Sequence, residues 1–220
     1  NGGVPKTELK EENVDALKKG MTNLEKHVEN MRSYGLPVVV AINRFDTDTD
    51  DELSAIEDMC KEKGVRFALS EVFAKGGQGG LDLAKELIDV IDKDEASFKT
   101  LYDTNLTIKE KIDTIVKNIY GGEGTVYSAR AEKQIKTLEA LGLDKKPICV
   151  AKTQYSLSDN PSLLGRPSGF KVNVAEVRVS NGAGFIVVET GNIMVMPGLP
   201  KVPSAEKIDV DANGIISGLF

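Results

Sequence analysis

The sequence predicts an α/β protein with a parallel-sheet portion over residues 1–95 and a mixed α/β portion over residues 96–220. In the first portion, short apolar runs rich in β-branched residues alternate with segments of helical periodicity. This alternation ends at a charged stretch over residues 92–95. Beyond residue 152 the chain is rich in loops, and Pro197, Pro200 and Pro203 exclude regular structure around them, because proline lacks a backbone N–H.

An amphipathic helix is predicted over residues 11–33, at the start of the first portion. Its apolar residues recur at three- and four-residue steps, and they are Val14, Leu17, Met21, Leu24, Val28 and Met31. His27 falls on the polar face of this helix. The run at residues 37–43 follows, and its β-branched apolar composition is typical of a strand buried on both faces.

A second strand and two further helices complete the first portion. Acidic and N-capping residues at 47–51 predict a helix that extends to Lys63. Residues 65–70 form the next predicted strand, and a glycine loop at 76–80 leads into a helix over 81–91. This βαβα order implies parallel strands with right-handed crossovers, as in Rossmann-like and P-loop NTPase-like sheets.

The second portion combines helices with several shorter strands. Helices are predicted over residues 107–119 and 129–141, separated by a glycine-rich turn. A buried strand is predicted over residues 147–151, and further strands over residues 174–179 and 185–189.

Composition excludes several classes of function. A net charge of -6 and a pI near 5.0 argue against nucleic acid as a partner, since phosphate backbones attract clustered Lys and Arg. No apolar run approaches the roughly 20 residues that span a bilayer, which argues against a membrane protein. A single histidine makes a zinc site improbable. Cys60 and Cys149 are far apart in sequence, and we expect both to be small core residues in a reduced cytoplasmic compartment.

Two loops that follow predicted strands are the strongest candidates for ligand binding. Ligands of open parallel sheets bind beyond the carboxyl ends of the strands. Phe45 follows the first strand and Phe73 follows the second, so the two rings could face each other across a gap and stack on a flat heteroaromatic ligand. The alternative is that both phenylalanines are ordinary packing residues.

The first loop also allows a different interpretation. Asn43-Arg44-x-Asp46 is close to the Asn-Lys-x-Asp pattern with which GTPases bind guanine, so the chain could be the distal half of a GTPase-like nucleotide-binding module. The sequence G-x-x-x-x-G-K-[ST], which cradles phosphates in such proteins, does not occur in the chain. The glycine loop at 76–80 lacks the Lys-Ser/Thr ending, and it could simply be a tight strand-to-helix turn.

A calcium site is a weaker possibility at the same loop. Asp46, Asp48, Asp50 and Glu57 have EF-hand-like offsets, but Asp51 occupies the position of the required glycine and a strand precedes the loop. Helix capping explains these acids better. The roles of the polar stretches at residues 152–155 and 166–169 remain open.

Six segments of the chain resemble formate–tetrahydrofolate ligase, and the resemblance extends in order over essentially all 220 residues. The segments are NGGVP at 1–5, VVVAINRFDTDT at 38–49, FAKGGQGG at 73–80, IYG at 119–121, AKTQYSLSDNP at 151–161 and TGNIMVMPGLP at 190–200. The family's phosphate-binding loop belongs to an N-terminal domain, so we expect the chain to be the C-terminal, folate-binding portion of a longer protein.

The resemblance implies an ATP-dependent ligase of one-carbon metabolism. In this family, ATP phosphorylates formate, and the formyl phosphate then transfers its formyl group to N10 of tetrahydrofolate. The resemblance also implies Mg²⁺ with ATP, activation by a monovalent cation (K⁺ or NH₄⁺), a homotetramer and a cytoplasmic location. We expect the 220 residues alone to be inactive, and the alternative from a non-catalytic class is an assembly domain that supplies only oligomer contacts.

The resemblance further implies a pterin site. Aromatic residues at the positions of Phe45 and Phe73 sandwich the pterin ring in the family, and the position of Leu69 contributes to the pocket. Many relatives have Trp where this chain has Phe73. Thr47 and Asp48 belong to the same motif, and we expect the Asp48 carboxylate to accept hydrogen bonds from the pterin N3–H and 2-amino edge.

Several other residues receive no firm role from the resemblance. Lys75 either contacts the anionic glutamate tail of folate or is an ordinary solvated lysine. No catalytic residue and no metal ligand is assigned in this chain. The roles of the segments KTQ at 152–154 and MPG at 196–198 stay unassigned.

Overall fold

The computed structural model describes residues 1–93, 95–191, 193 and 200–219. The helices are α1 (Val14–Ser33), α2 (Asp50–Glu62), α3 (Val72–Lys75), α4 (Leu81–Asp92), α5 (Ile108–Ile115) and α6 (Ala129–Ala140). The strands are β1 (Val39–Asn43), β2 (Arg66–Ser70), β3 (Gly124–Tyr127), β4 (Ile148–Ala151), β5 (Lys171–Val174), β6 (Glu176–Ser180), β7 (Phe185–Glu189), β8 (Asp209–Val210) and β9 (Ile216–Ser217). The predicted α/β class is confirmed.

The first portion is built on a parallel pair of strands. β1 pairs with β2 in a register that places Val39 opposite Arg66 and Asn43 opposite Ser70. Helices α1 and α2 pack against each other, and α4 packs on β2. Buried apolar residues of α1, α2 and the sheet form the first core, which comprises Val28, Val40, Ile42, Leu53, Met59, Cys60 and Val65. The parallel pairing that the βαβα order predicts is therefore confirmed.

Capping residues determine where the first two helices begin. The Asn13 side chain accepts a hydrogen bond from the backbone N–H of Ala16, so α1 starts three residues later than predicted. Thr49 and Glu52 form a reciprocal capping box at the start of α2. The predicted helix at this position is confirmed, and the acids around it serve as cap and first-turn residues.

The prediction that the first strand is buried on both faces is wrong. In β1, Val40 and Ile42 are buried, whereas Ala41 and Asn43 are exposed. The alternation arises because, in the part of the chain that the structure describes, helices α1 and α2 supply the core on only one face of β1. Among the described residues, β1 pairs only with β2.

The second portion contains a three-stranded sheet in the order β4-β7-β6 and a separate parallel pair, β3-β5. β4 runs parallel to β7, and β6 runs antiparallel to it. Helices α5 and α6 cover these strands. The second core comprises Ile108, Ile112, Val116, Ala131, Ile135, Leu138, Phe170, Val172, Val174, Val177, Ile186 and Val188.

Two predictions about strands in the second portion are corrected. The single strand predicted over residues 174–179 is two strands, β5 and β6, because Ala175 leaves the ladder of β5 and its N–H bonds Glu189 O at 2.8 Å. Strand β3 was missed, because its first residue, Gly124, belongs to the glycine-rich stretch that reads as a turn. The strand predicted over residues 185–189 is confirmed as β7.

The helix predicted over residues 107–119 changes character along its length. An α-helix begins after the Thr107 cap and ends at Ile115, and a π-helix over Val116–Tyr120 continues it. Gly121, with φ of 77°, ends the π-helix in the left-handed conformation that glycine adopts without strain. π-Helical turns are rare and are frequent at functional sites.

The predicted environment of one cysteine is confirmed and that of the other is wrong. Cys60 is fully buried in the first core, whereas Cys149 is exposed. Cys149 lies in β4, which was predicted to be a buried strand. β4 pairs with β7 alone among the described strands, so it is an edge strand with one exposed face.

Helix α1 buries residues that its apolar periodicity does not predict. Lys26 and Asn30 are buried, whereas Met31, a predicted core residue, is 45% exposed. The Lys26 ammonium donates to Asn118 O at 2.7 Å, and the Asn30 amide donates to Ile119 O at 2.9 Å. Both acceptors are carbonyls of the π-helix, so these two side chains connect the first portion to the second. His27 is exposed, as predicted.

The last described segment, residues 200–219, contains a 3-10 turn at Ser204–Glu206 and the short antiparallel pair β8-β9. Pro197 and the segment at 196–198 lie outside the described residues. No helix in the described part of the chain is both long enough and apolar enough to cross a membrane.

Candidate functional site

The two predicted ligand loops lie side by side at one edge of the first sheet. β1 and β2 are parallel neighbours, so the residues that follow Asn43 and Ser70 leave the sheet at the same end. Phe45 is 64% exposed and Phe73 is 92% exposed. Neither ring packs into a core, and two large apolar rings exposed at the carboxyl end of a parallel sheet are available to a ligand. That the two rings face each other stays a prediction.

The first loop is a tight turn held by its own aspartate. The Asp48 carboxylate accepts a hydrogen bond from the Phe45 N–H at 2.8 Å, and the Asp48 N–H donates to Phe45 O at 3.0 Å. These bonds fix the backbone on both sides of Thr47, which is exposed. Asp48 therefore determines how the loop presents Phe45, and its predicted contact with a pterin stays a prediction.

The second loop is a compact turn that the glycines make possible. Phe73 lies in the single-turn helix α3, and a 3-10 turn over Gly76–Gly80 follows it. The Glu71 N–H donates to Gly79 O at 3.0 Å. A Cβ at position 79 would collide with the Glu71 carbonyl, so glycine is required for this close approach. The glycine loop is a tight turn into α4, as interpreted, but the short helix α3 separates it from β2.

Leu69 differs from the other predicted site residues because it belongs to the sheet itself. It pairs with Ile42 in the β1–β2 register, and its half-buried side chain packs against the first core. Its position one residue before the end of β2 is compatible with the floor of a pocket. A role in ligand binding stays a prediction.

A charged network connects the two loops. The Glu71 carboxylate contacts Arg44 Nη1 at 3.4 Å through Oε1 and Lys75 Nζ at 2.6 Å through Oε2. Arg44 also lies 3.8 Å from the Asp50 carboxylate. The bond from Lys75 lowers the pKa of Glu71, so the carboxylate stays ionised.

Sequence reasoning assigned no role to Glu71. Its spacing of four residues from Lys75 could have predicted their ion pair, since residues at this spacing meet on one side of a helical turn. The contact with Arg44 could not be seen in the sequence, because it depends on the β1–β2 register. Lys75, for which two roles were considered, is bound to Glu71.

The calcium interpretation gains no support. Among the described residues, no three His, Cys, Asp or Glu side chains are grouped so that they could hold a metal ion. Asp50 and Glu57 lie on helix α2, while Asp48 binds the backbone of its own turn.

A second concave region lies between the two portions. A cavity of about 410 Å³ is lined by aromatic rings, including Tyr34, Phe98, Tyr102 and Tyr120, together with aliphatic side chains. The rings of Tyr34 and Phe98 are nearly parallel, with centroids 6.4 Å apart. None of the five predicted folate-site residues lines this cavity.

The polar stretches whose roles were open stabilise loops of the second portion. Lys152 Nζ donates to the carbonyls of Thr153 and Ser156 and lies 5.1 Å from the centre of the Tyr120 ring. Arg166 forms two hydrogen bonds of 2.7 and 2.6 Å with the Glu29 carboxylate of α1. Both stretches therefore have structural partners, and Arg166 adds to the contact between the two portions.

Comparison with known protein families relates the chain to an enzyme family. The family model described as formate–tetrahydrofolate ligase matches residues 1–220, which is the whole of the chain. The match includes both phenylalanine loops, the glycine turn and the π-helix.

Proposed function

Because the chain belongs to the formate–tetrahydrofolate ligase family, we propose that it forms the folate-binding part of an ATP-dependent ligase. The family implies formate, tetrahydrofolate and ATP as substrates and a place in one-carbon metabolism. The product is 10-formyltetrahydrofolate, made through formyl phosphate. The residues that bind the pterin are Phe45, Phe73, Leu69, Thr47 and Asp48.

The exposure of Phe45 and Phe73 at the carboxyl ends of adjacent strands is the observation that carries the proposal. Exposing two large rings to water has a free-energy cost, which a flat ligand between them would remove. Stacking contributes about 0.5–1.5 kcal/mol per aromatic pair beyond the burial of area. The pterin itself does not react, so these rings hold and orient tetrahydrofolate while N10 extends beyond them.

The polar residues of the first loop set the orientation of the ring. One oxygen of Asp48 holds the turn at Phe45, and its carboxylate would accept from the N3–H and 2-amino groups at the pterin edge. Thr47 lies between these two residues and supplies a hydroxyl group. Leu69 provides an apolar floor at the end of β2.

The chemistry on phosphate is assigned to parts of the protein outside these 220 residues. The chain contains no G-x-x-x-x-G-K-[ST] sequence, and its glycine turn folds back onto Glu71. We therefore infer that ATP, its Mg²⁺ and the activating K⁺ or NH₄⁺ bind mainly elsewhere, and that the chain alone does not make formyltetrahydrofolate. In this proposal the whole enzyme is a cytoplasmic homotetramer.

The two portions, divided near residue 95, have separate tasks in the proposal. The first portion carries the pterin loops, and the second supports the first through α1. The separate cores support this division, since the buried apolar residues of each core come from one side of residue 95.

A GTPase-like nucleotide-binding module is the second candidate. It is favoured by the Asn43-Arg44-x-Asp46 sequence, which lies at the carboxyl end of a parallel strand, with Asn43 and Asp46 exposed. In the described structure, however, the Arg44 side chain is directed to Glu71 and Asp50.

Calorimetric titration of the chain with tetrahydrofolate and with GTP separates the candidates. We expect tetrahydrofolate to bind and GTP not to bind. Binding of GTP alone would support the nucleotide module, and binding of neither would favour a domain that only makes assembly contacts. Because the chain has no tryptophan, calorimetry is preferable to intrinsic fluorescence.

A further inference from the structure

We propose that Glu71 is a positioning residue that fixes the spacing between the Phe45 and Phe73 loops and thereby sets the affinity for the pterin ring. The inference rests on the proposed function. In the proposed arrangement, Glu71 does not contact the pterin ring. It acts through Arg44 on the first loop and Lys75 on the second.

The geometry makes Glu71 the shared partner of both loops. Each of its carboxylate oxygens has its own cation, with Oε1 facing Arg44 and Oε2 facing Lys75. Arg44 immediately precedes Phe45, and Lys75 follows Phe73 by two residues. A change in the Glu71 side chain therefore reaches both aromatic rings through short pieces of backbone.

The Arg44–Glu71 ion pair lies just beyond the last backbone hydrogen bond between β1 and β2. The last ladder-like bond between the two strands runs from the Arg44 N–H to Ser70 O at 3.0 Å. One residue further along the second loop, Glu71 continues this connection with its side chain. Its own backbone is fixed by the N–H bond to Gly79 O and by the N–H groups of Ala74 and Lys75, which donate to Glu71 O.

Partial burial distinguishes the Glu71 carboxylate from an ordinary surface carboxylate. The Glu71 side chain is 22% exposed, and ion pairs gain strength as water is excluded from them. Exposed pairs contribute little. Glu57 and Lys61 on helix α2 have the same four-residue spacing; Glu57 is 41% exposed, whereas Lys61 and Lys75 are similarly exposed at 61% and 58%.

A competing role for Glu71 predicts the opposite effect on folate. Glu71 neutralises two cations near the predicted site, and the glutamate tail of folate is anionic. If Glu71 acted only through its charge, Glu71→Gln would free Arg44 and Lys75 and strengthen tetrahydrofolate binding. A positioning role predicts weaker binding of the pterin ring itself, with or without the tail.

The experiment uses two probes, tetrahydrofolate and tetrahydropterin, which lacks the charged tail. The dissociation constant of each is measured by calorimetry for the chain and for Glu71→Gln, Arg44→Gln, the double variant and the control Glu57→Gln. We expect each single variant at the site to weaken tetrahydropterin binding about 3- to 10-fold, in the range of coupled neighbours. The affinity of the double variant for tetrahydropterin should be no lower than that of the single variant that binds less tightly, because both changes remove the same contact. Glu57→Gln should bind like the unaltered chain.

Arg44→Lys tests the role of charge across the two loops. It keeps a cation opposite Glu71, so it should retain most of the affinity that Arg44→Gln loses. If Glu71→Gln fails to fold, Arg44→Gln and Arg44→Lys still report on the same contact from the other loop.

The outcomes distinguish the two proposals. If the unaltered chain binds tetrahydropterin and Glu71→Gln binds it equally well, the positioning role is wrong. Stronger tetrahydrofolate binding by Glu71→Gln, with unchanged tetrahydropterin binding, would assign Glu71 to charge neutralisation instead. If the unaltered chain binds neither probe, the proposed function itself fails.

Discussion

The two portions of the molecule differ in how completely they bury the apolar side chains of their cores. In the second core, Ile108, Val116, Ile186 and Val188 are completely buried. The apolar residues of the first core retain some exposure, apart from Cys60, and Phe45 and Phe73 lie outside it altogether. Both portions also expose large apolar side chains, such as Leu141 in the second, so the difference lies in how completely each core is buried.

Each portion also contains a buried lysine, and the two are held in different ways. Lys111, which is fully buried, donates to the carbonyls of Thr104, Asp144 and Lys146 at 2.5 to 3.3 Å, all within the second portion. Lys26 donates across the boundary to Asn118. The second portion therefore satisfies its buried cation internally, whereas the buried cation of the first portion depends on the second.

The largest expected effect tests the difference in packing. Ile112→Ala in α5 removes a side chain that is 1% exposed, and we expect a loss of about 3–4 kcal/mol in the free energy of unfolding, because a cavity forms in the second core. Ile88→Ala in α4 is the matched control, since Ile88 is 57% exposed and should change stability by less than about 0.5 kcal/mol. Urea denaturation of both variants measures the difference. Equal losses would show that burial of Ile112 in the second core adds nothing to its contribution to stability.

The next largest effect is a change in tetrahydrofolate binding that leaves the free energy of unfolding nearly unchanged. Phe73→Ala should weaken tetrahydrofolate binding by about 2–3 kcal/mol, or about 30- to 150-fold, through lost stacking and burial. The free energy of unfolding should hardly change, because the ring is 92% exposed. Phe73→Trp should be tolerated, since its larger face can make the same contact.

Phe98→Ala is the control from the other side of the boundary. Phe98 is also strongly exposed and lies beside Tyr34, but it lines the cavity between the portions rather than the predicted folate site. Calorimetry should give an unchanged tetrahydrofolate affinity for this variant. An unchanged affinity in Phe73→Ala, or an equal loss in Phe98→Ala, would remove Phe73 from the site.

The smallest effect depends on pH and belongs to the second portion. Burial raises the pKa of Tyr120 to about 12 from an ordinary value of 10, because the phenolate is poorly solvated there. The folded state keeps this proton while the unfolded state loses it, so the stabilisation is complete below pH 10 and is lost as the pH rises from 10 towards 12. At pH 11, midway between the two values, the loss should be about 1.4 kcal/mol, which is the equivalent of one pKa unit.

Urea denaturation as a function of pH checks this expectation. Tyr120→Phe cannot ionise, so its stability should fall less steeply than that of the unaltered chain between pH 10 and 12. Below pH 10 the two curves should run parallel. Identical slopes above pH 10 would show that Tyr120 ionises as easily in the folded chain as in the unfolded one.

Local signals in the sequence predicted much of the first portion. Apolar periodicity, the Thr49 cap and the β-branched runs were sufficient for α1, α2, β1 and β2, because each depends on neighbours in the sequence. The placement of Phe45 and Phe73 at one edge followed from parallel pairing alone.

Features that depend on contacts distant in sequence could not be predicted in the same way. The burial of Lys26 and Asn30 requires the carbonyls of the π-helix, about ninety residues further along the chain. The exposure of Cys149 follows from the edge position of β4, which composition does not reveal. The Arg44–Glu71 contact depends on strand register.

The π-helix over Val116–Tyr120 also has a consequence for how the length of the chain can vary. A π-helical turn holds one residue more than an α-helical turn, so deleting a residue here would restore regular α-helix. Each residue of an α-helix turns the chain by about 100°, and the carbonyls of Asn118 and Ile119 would rotate away from Lys26 and Asn30. Related sequences should therefore vary in the identity of residues in this segment more freely than in their number.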